Sequence, residues 1–180
     1  MRIGIDIDDT ITETSGLIQQ VLVENNLLDK SSDFDYYSKD ELVDFDRLIR
    51  ENIEEVLTNC PIKKNAKEVI NYLKSKGNKI YIITARSNYY SKNVYQITID
   101  YLKKHEIEYD ELLFGYEEKK DICLEKKLDV MFDDSKRIIG SLKDTKVEGI
   151  LFDASYNKDY DGKRVNNWLE VKDYIDSWEA

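Results

Sequence analysis

The chain has 180 residues, enough for one domain with a sizeable core and room for an insertion. Its 27 Lys and Arg against 37 Asp and Glu give a net charge of −10 and a pI near 4.7, which argues against a nucleic-acid polymer or an anionic membrane as partner. Two cysteines far apart, no apolar run of membrane-spanning length, and an N-terminus broken by Asp6 predict a reduced, cytoplasmic protein without a signal peptide.

Short apolar runs alternate with helical patterns, the signature of a parallel α/β sheet with helices on both faces. Five strands are predicted, at Ile3–Ile7, Ile80–Ile83, Leu112–Phe114, Val130–Phe132 and Ile150–Phe152. After the first strand, Gly16 to Leu28 reads as a helix. Ser38-Lys39-Asp40-Glu41 reads as a capping box ahead of Leu42, Phe45, Ile49, Ile53 and Val56, and Pro61 ends the segment. More than seventy residues separate Ile7 from Ile80, far more than one crossover helix needs. Residues 14–62 are therefore expected to form a small helical insertion on a core made of 1–13 and 63–180.

The crossover helix carries Val69, Ile70 and Leu73, with Asn65 as its expected cap and Gly77 as its stop. Further helices are expected around Val94, Ile97, Tyr101 and Leu102, over Ile122 to Lys127, and after Ser135 with Ile138, Ile139 and Leu142. The last spaces Trp168, Val171, Ile175 and Trp178 at helical intervals, with both tryptophans as core anchors.

The chemistry concentrates where the first strand ends, in Asp6, Asp8, Asp9 and Thr10. Burying that much negative charge is costly unless a cation neutralises it, and oxygen-only ligands favour a hard ion such as Mg²⁺. If the strand stays extended to Asp8, the i, i+2 spacing puts Asp6 and Asp8 on one side. One carboxylate could then attack while the other moves protons. A second polar strand end is Thr84-Ala85-Arg86-Ser87, whose hydroxyl and backbone N–H groups can hold phosphate oxygens. A third is Asp133-Asp134, an adjacent acid pair that again points to a cation.

Asp6-x-Asp8-x-Thr10 resembles the first motif of the haloacid dehalogenase (HAD) superfamily, most of whose members are phosphohydrolases. Thr84 resembles the second motif, Lys119 or Lys120 the third, and Asp133-Asp134 the fourth, in the required order. The resemblance implies a Rossmann-like core, commonly with a cap after the first strand. It implies Asp6 as nucleophile, Asp8 as acid and base, and Thr84, Ala85 and Lys119 on the phosphate. The Asp6 carboxylate, the Asp8 carbonyl and the Asp134 carboxylate would hold Mg²⁺, with Asp133 in support. An Asp at position 8 suits ester hydrolysis, where the leaving alkoxide needs a proton.

A narrower resemblance rests on Ile82-Ile83-Thr84-Ala85-Arg86, Glu108-Tyr109-Asp110-Glu111-Leu112, Val130 to Ser135, Tyr156-Asn157 and Arg164-Val165-Asn166-Asn167-Trp168. These stretches are similar to bacterial nucleotidase-like proteins related to the cytosolic 5'(3')-deoxyribonucleotidases. The small phosphorylated partner it implies is a nucleoside monophosphate, although residues 157–162 lack that group's Pro and Arg. Phe34, Tyr36, Tyr37 and Phe45 are candidates to stack on a base or to pack the insertion, and Arg86 and Tyr89 are candidates to line the pocket. His105 reads as an exposed bystander and Cys123 as a packing residue. The alternatives are a sugar-phosphate phosphatase, a phosphotransferase and an idle binding module that keeps the fold.

Overall fold

The structure is a computed structural model and describes residues 1–29 and 45–179. A single parallel sheet organises it, from β1 (Arg2–Ile5), β2 (Lys79–Thr84), β3 (Glu111–Phe114), β4 (Val130–Asp133), β5 (Glu148–Phe152) and β6 (Arg164–Val165), in the order β3-β2-β1-β4-β5-β6. Six strands thus replace the five expected from sequence. β6 is two residues long, too short for any periodicity to mark, and it pairs Arg164 and Val165 with Leu151 and Phe152. The sheet's centre is β1, between β2 and β4, with Ile3 opposite Ile80 and Val130.

Alternation along the strands feeds two cores. Ile3, Ile5, Ile80, Ile82, Val130 and Phe132 face α3 (Ala66–Ser75) and α7 (Trp168–Glu179), through Val69, Ile70, Leu73, Val171 and Ile175. Tyr81, Ile83, Leu113 and Met131 face the other way, onto Ile122 and Cys123 of α5 (Lys120–Glu125) and onto Leu142. Leu142 follows α6 (Lys136–Ser141), whose first turn Ser135 caps by accepting from the Ile138 N–H. Gly4 interrupts the isoleucines of β1 because a methyl there would lie 2.5 Å from Leu128 Cδ1 and 2.6 Å from Met131 Sδ.

Local signals mostly match, with four corrections. Asn65 does precede α3, but it sits at φ +65° and makes no side-chain cap hydrogen bond. β1 stops at Ile5, short of the expected Ile7, because the N–H groups of Thr10, Ile11 and Thr12 all turn back to the Ile7 carbonyl. Trp168 anchors the core as expected, fully buried with its indole N–H on the Thr10 carbonyl at 3.0 Å. Trp178, the next-to-last residue of α7, is instead 42% exposed. His105 is half-buried against the Tyr101 ring, 4.4 Å between centroids, at the end of α4 (Val94–Lys104).

Among the described residues, two helices lie between β1 and α3, α1 (Thr14–Glu24) and α2 (Phe45–Asn59). They share a separate apolar cluster of Ile18, Leu22, Phe45, Leu48, Ile49 and Val56. The chain leaves the sheet and returns to it through one short closure. Thr12 bridges Ile62, Glu13 N–H donates to the Pro61 carbonyl at 2.8 Å, and Lys63 N–H donates to the Ile11 carbonyl at 2.8 Å. The expected capping box at Ser38 and the aromatics Phe34, Tyr36 and Tyr37 lie outside the described residues. Phe45 is 4% exposed and packs within the two-helix cluster. No helix among the described residues is long and apolar enough to cross a membrane.

Candidate active site

The carboxyl ends of β1, β2 and β4 meet at a cavity of about 700 Å³ that α1 and α2 also line. In an open parallel sheet this is where ligands are held, at the point where strand order reverses beside the first strand. Asp6, Asp8, Asp9, Ala85, Arg86, Lys119, Asp133 and Asp134 line it, and so do the apolar and aromatic side chains of Ile18, Ile53, Leu57, Tyr89, Tyr90 and Val94, together with Asp46.

Asp6 follows β1 directly, and its N–H still bonds the Phe132 carbonyl of β4 at 3.0 Å. That bond fixes the two strand ends against each other. Lys119 lies immediately before α5, 3% exposed, and its ammonium donates to Asp6 Oδ1 at 2.5 Å and Asp133 Oδ2 at 2.7 Å. Lys120, its rival from the sequence, is exposed. Asp133 is held on its other oxygen too, because Oδ1 accepts from the Ser135 N–H at 2.9 Å. Asp134 Oδ2 accepts from the Tyr156 hydroxyl at 2.5 Å. One oxygen from each of Asp6, Asp133 and Asp134 can be chosen so that all lie within 4.8 Å of one another.

Three buried carboxylates against one ammonium leave negative charge uncompensated. Burial raises the Asp6 carboxyl to about 7, with Lys119 pulling it down and Asp133 and Asp8 pushing it further up. Burial likewise holds Asp134 well above the usual carboxylate value, and Asp133, Asp6 and Asp9 add repulsion. An all-oxygen donor set with this charge deficit fits a hard divalent cation.

Asp8 is placed differently. Its carboxylate accepts a two-point bridge from Arg86, Nη2 to Oδ1 at 2.7 Å and Nε to Oδ2 at 2.9 Å, and a hydrogen bond from Thr14 at 2.6 Å. Burial works to raise its pKa, but the Arg86 charge and these hydrogen bonds outweigh burial and leave it below the ordinary value. Asp6 and Asp8 share the cavity through the turn after Ile5, not through a pleat. Thr84 is fully buried and stands behind the lining. Its hydroxyl accepts from the Arg86 N–H at 3.1 Å and shapes the loop, while Ala85 is exposed at the cavity.

Two functional positions were not foreseen in their geometry. Asp9 sits at φ +59°, a left-handed conformation uncommon for an Asp. Its carboxylate ties Ser15 N–H (2.9 Å) and the Ser15 hydroxyl at the start of α1 to the Tyr156 hydroxyl (2.9 Å). Tyr156 thereby joins Asp9 to Asp134. Its neighbour Asn157 donates to the Asp134 and Phe152 carbonyls (2.8 and 2.9 Å) and accepts from Arg164 (3.0 Å). The paired Tyr-Asn and Arg-Val segments are thus a brace across the ends of β4, β5 and β6. The sequence resemblance covers these segments without giving their purpose.

This fold is that of the HAD-superfamily hydrolases. A Deinococcus radiodurans HAD family hydrolase with bound phosphate and sodium aligns over 98% of this chain and 95% of its own, with a TM-score of 0.68 and 14% identity. CbbY from Rhodobacter sphaeroides, in complex with xylulose-(1,5)bisphosphate, aligns over 94% and 95%, with a TM-score of 0.62 and 14% identity. The model of the family described as "5' nucleotidase, deoxy (Pyrimidine), cytosolic type C protein" matches residues 1–179, and the chain belongs to that family. It is similar to the Bacillus subtilis protein named "Putative nucleotidase YqfW", 27% identical over 98% of this chain and 94% of that protein. A Bacillus cereus protein named "Putative nucleotidase" is 26% identical over 97% and 98%. The chain is accordingly an HAD-type phosphatase, nucleotidase-like by family.

Proposed function

We propose that the protein hydrolyses a nucleoside monophosphate in two steps, through an aspartyl-phosphate on Asp6, with Mg²⁺ as cofactor. The observation that carries this reading is the mixed lining of one cavity: an acidic cluster around Asp6 and Lys119, and apolar and aromatic side chains that include Tyr89 and Tyr90. A phosphate suits the acidic cluster when a cation is present, and a nucleobase suits the aromatic side chains. In the first step an Asp6 oxygen attacks phosphorus as the ester P–O bond breaks, and Asp8, which must first take up a proton against the pull of Arg86, gives it to the leaving oxygen. In the second, Asp8 takes a proton from water as the water oxygen attacks phosphorus and frees Asp6.

Lys119 stays bonded to Asp6, holds the carboxylate in place and offsets charge on the phosphoryl oxygens. The Thr84 loop presents the Ala85 backbone to those oxygens. The Asp6 and Asp134 carboxylates and the Asp8 backbone carbonyl would hold Mg²⁺, with Asp133 in support through Lys119. Bound there, the ion neutralises the phosphate so that an anionic nucleophile can approach.

Residues 14–62 form, in this reading, a small cap on a core of 1–13 and 63–180. The support is the closure of Thr12 onto Ile62 and the separate apolar cluster of α1 and α2. Such a cap excludes water from the phosphoryl step and leaves room for a compact leaving group. The testing experiment is a panel of phosphomonoesters with Mg²⁺: 5'- and 3'-nucleotides, sugar phosphates and a phosphopeptide. The expected result is the highest kcat/KM on a nucleotide. A sugar phosphate leading the panel would replace the substrate, and a phosphopeptide leading it would defeat the cap argument.

A further inference from the structure

Arg86 is 7% exposed and directs its guanidinium at Asp8, away from Asp6. Three features of α4 and its surroundings hold it there. Nη1 donates to Thr98 Oγ1 at 3.4 Å, Nη2 lies 3.9 Å from Cys60 Sγ, and the guanidinium carbon stands 5.9 Å from the centre of the Tyr101 ring. Thr98 is itself fixed, donating to the Val94 carbonyl at 2.8 Å. A planar fork on a carboxylate sets orientation as well as distance, which a lysine ammonium cannot do. The Asp8 side chain is nevertheless open on one side, 32% exposed to the cavity, where the Asp6 side chain is 7% exposed.

We propose that Arg86 is the positioning residue for proton transfer: it aims the Asp8 carboxyl at the leaving oxygen and does not itself bind the phosphate. The inference rests on the two-step hydrolysis proposed above. Its first step forms the Asp6 O–P bond, breaks the ester P–O bond and moves the Asp8 proton onto the departing oxygen. A misaimed Asp8 therefore harms esters with basic leaving groups most. Good leaving groups, which depart without a proton, suffer less.

The test is a leaving-group series for the Mg²⁺-loaded protein, with substituted phenyl phosphates and one alkyl phosphate, comparing wild type with Arg86→Lys. The readout is kcat/KM, which reports the first phosphoryl transfer. The variant is expected to lose about a hundredfold on the alkyl ester and at least about tenfold less on the best aryl ester, with KM little changed. The Asp8→Asn variant should show the same steepening, and adding Arg86→Lys to it should steepen the series no further. Thr98→Val, which leaves the guanidinium in place and removes one anchor, should steepen it less and in the same direction. It serves if Arg86→Lys does not fold. A uniform loss across the series, or a rise in KM alone, would overturn the inference and leave the hydrolysis standing. A wild-type protein that turns over none of these esters would overturn both.

Discussion

The strand ends and the two-helix segment are stabilised by opposite means. At the ends of β1 and β4, Asp6, Lys119, Asp133 and Ser135 form a buried chain of charged hydrogen bonds on a rigid sheet. The α1–α2 pair is an apolar cluster that meets the core partly through buried contacts, such as the Tyr101 hydroxyl on the Cys60 carbonyl at 2.8 Å, and partly through surface contacts, such as Tyr90 to Asp46 at 2.8 Å and Asn93 to Glu54 at 3.0 Å. A buried ion network tolerates no displacement, because each partner compensates the other's desolvation. Surface contacts of the second kind contribute little and rearrange at little cost. The comparison teaches where reactivity and selectivity should separate: chemistry on the strand ends, substrate choice on the helical side.

The largest expected effects fall on the strand ends. Asp6→Asn should reduce turnover at least about ten-thousandfold with the fold retained, since an amide cannot attack phosphorus. Asp8→Asn should cost about a hundred- to ten-thousandfold. Substantial activity in the Asp6 variant, measured on the best substrate of the panel, would end the covalent mechanism.

Next is the ammonium that holds the network together. Lys119→Met strands buried Asp6 and Asp133 without their partner, and should destabilise the metal-free protein by about 3 kcal/mol or more. Denaturant titration in chelator checks this. A change within experimental error would show that the strand ends are no more demanding than the helical side.

The charge deficit also predicts a pH dependence. Because the folded Asp6 carboxyl is raised from 3.8 to about 7, its contribution to stability is fully present below 3.8 and is lost as pH rises to about 7 and beyond. Metal-free protein should therefore lose thermal stability across that window. Mg²⁺ should raise Tm more at about pH 8 than at about pH 5, where protons compete for the same oxygens. Equal shifts at the two pH values would remove the acidic cluster as the metal site.

The smallest effect belongs to the aromatic lining of the cavity. Tyr89 is 68% exposed and touches the Tyr90 ring edge-on at 4.9 Å. Tyr89→Ala should leave stability within about 0.5 kcal/mol and raise KM for a nucleotide by roughly tenfold, the equivalent of one lost stacking contact. A matching loss on a small aryl phosphate would place Tyr89 with the chemistry and blur the division drawn above.

How much of this was legible beforehand follows from range. The five longer strands, the helix carrying Val69 to Leu73 and the Ser135 cap were readable because each depends on neighbours within a few residues. The meeting of Asp6, Thr84, Lys119 and Asp134 at one end of the sheet was readable too, because a parallel sheet brings all carboxyl strand ends to the same side. Resemblance left Lys119 and Lys120 both open with a slight lean to Lys119, and it is Lys119 whose ammonium bonds Asp6.

Tertiary structure alone decided the rest. No local signal marks a two-residue β6, which is a strand only because β5 lies beside it. Trp178 has the periodicity of a core residue, yet in the fold it is 42% exposed and stands edge-on to the Tyr174 ring at 5.8 Å. The sequence distance between Arg86 and Asp8, or between Tyr156 and Asp9, says nothing of their contact, since such pairs form only when separate strand ends fold into one cavity. Sequence determined which residue types stand at the strand ends, because strand and loop order is written along the chain. Which of them touch is a property of the packed sheet, where burial and charge select partners across it.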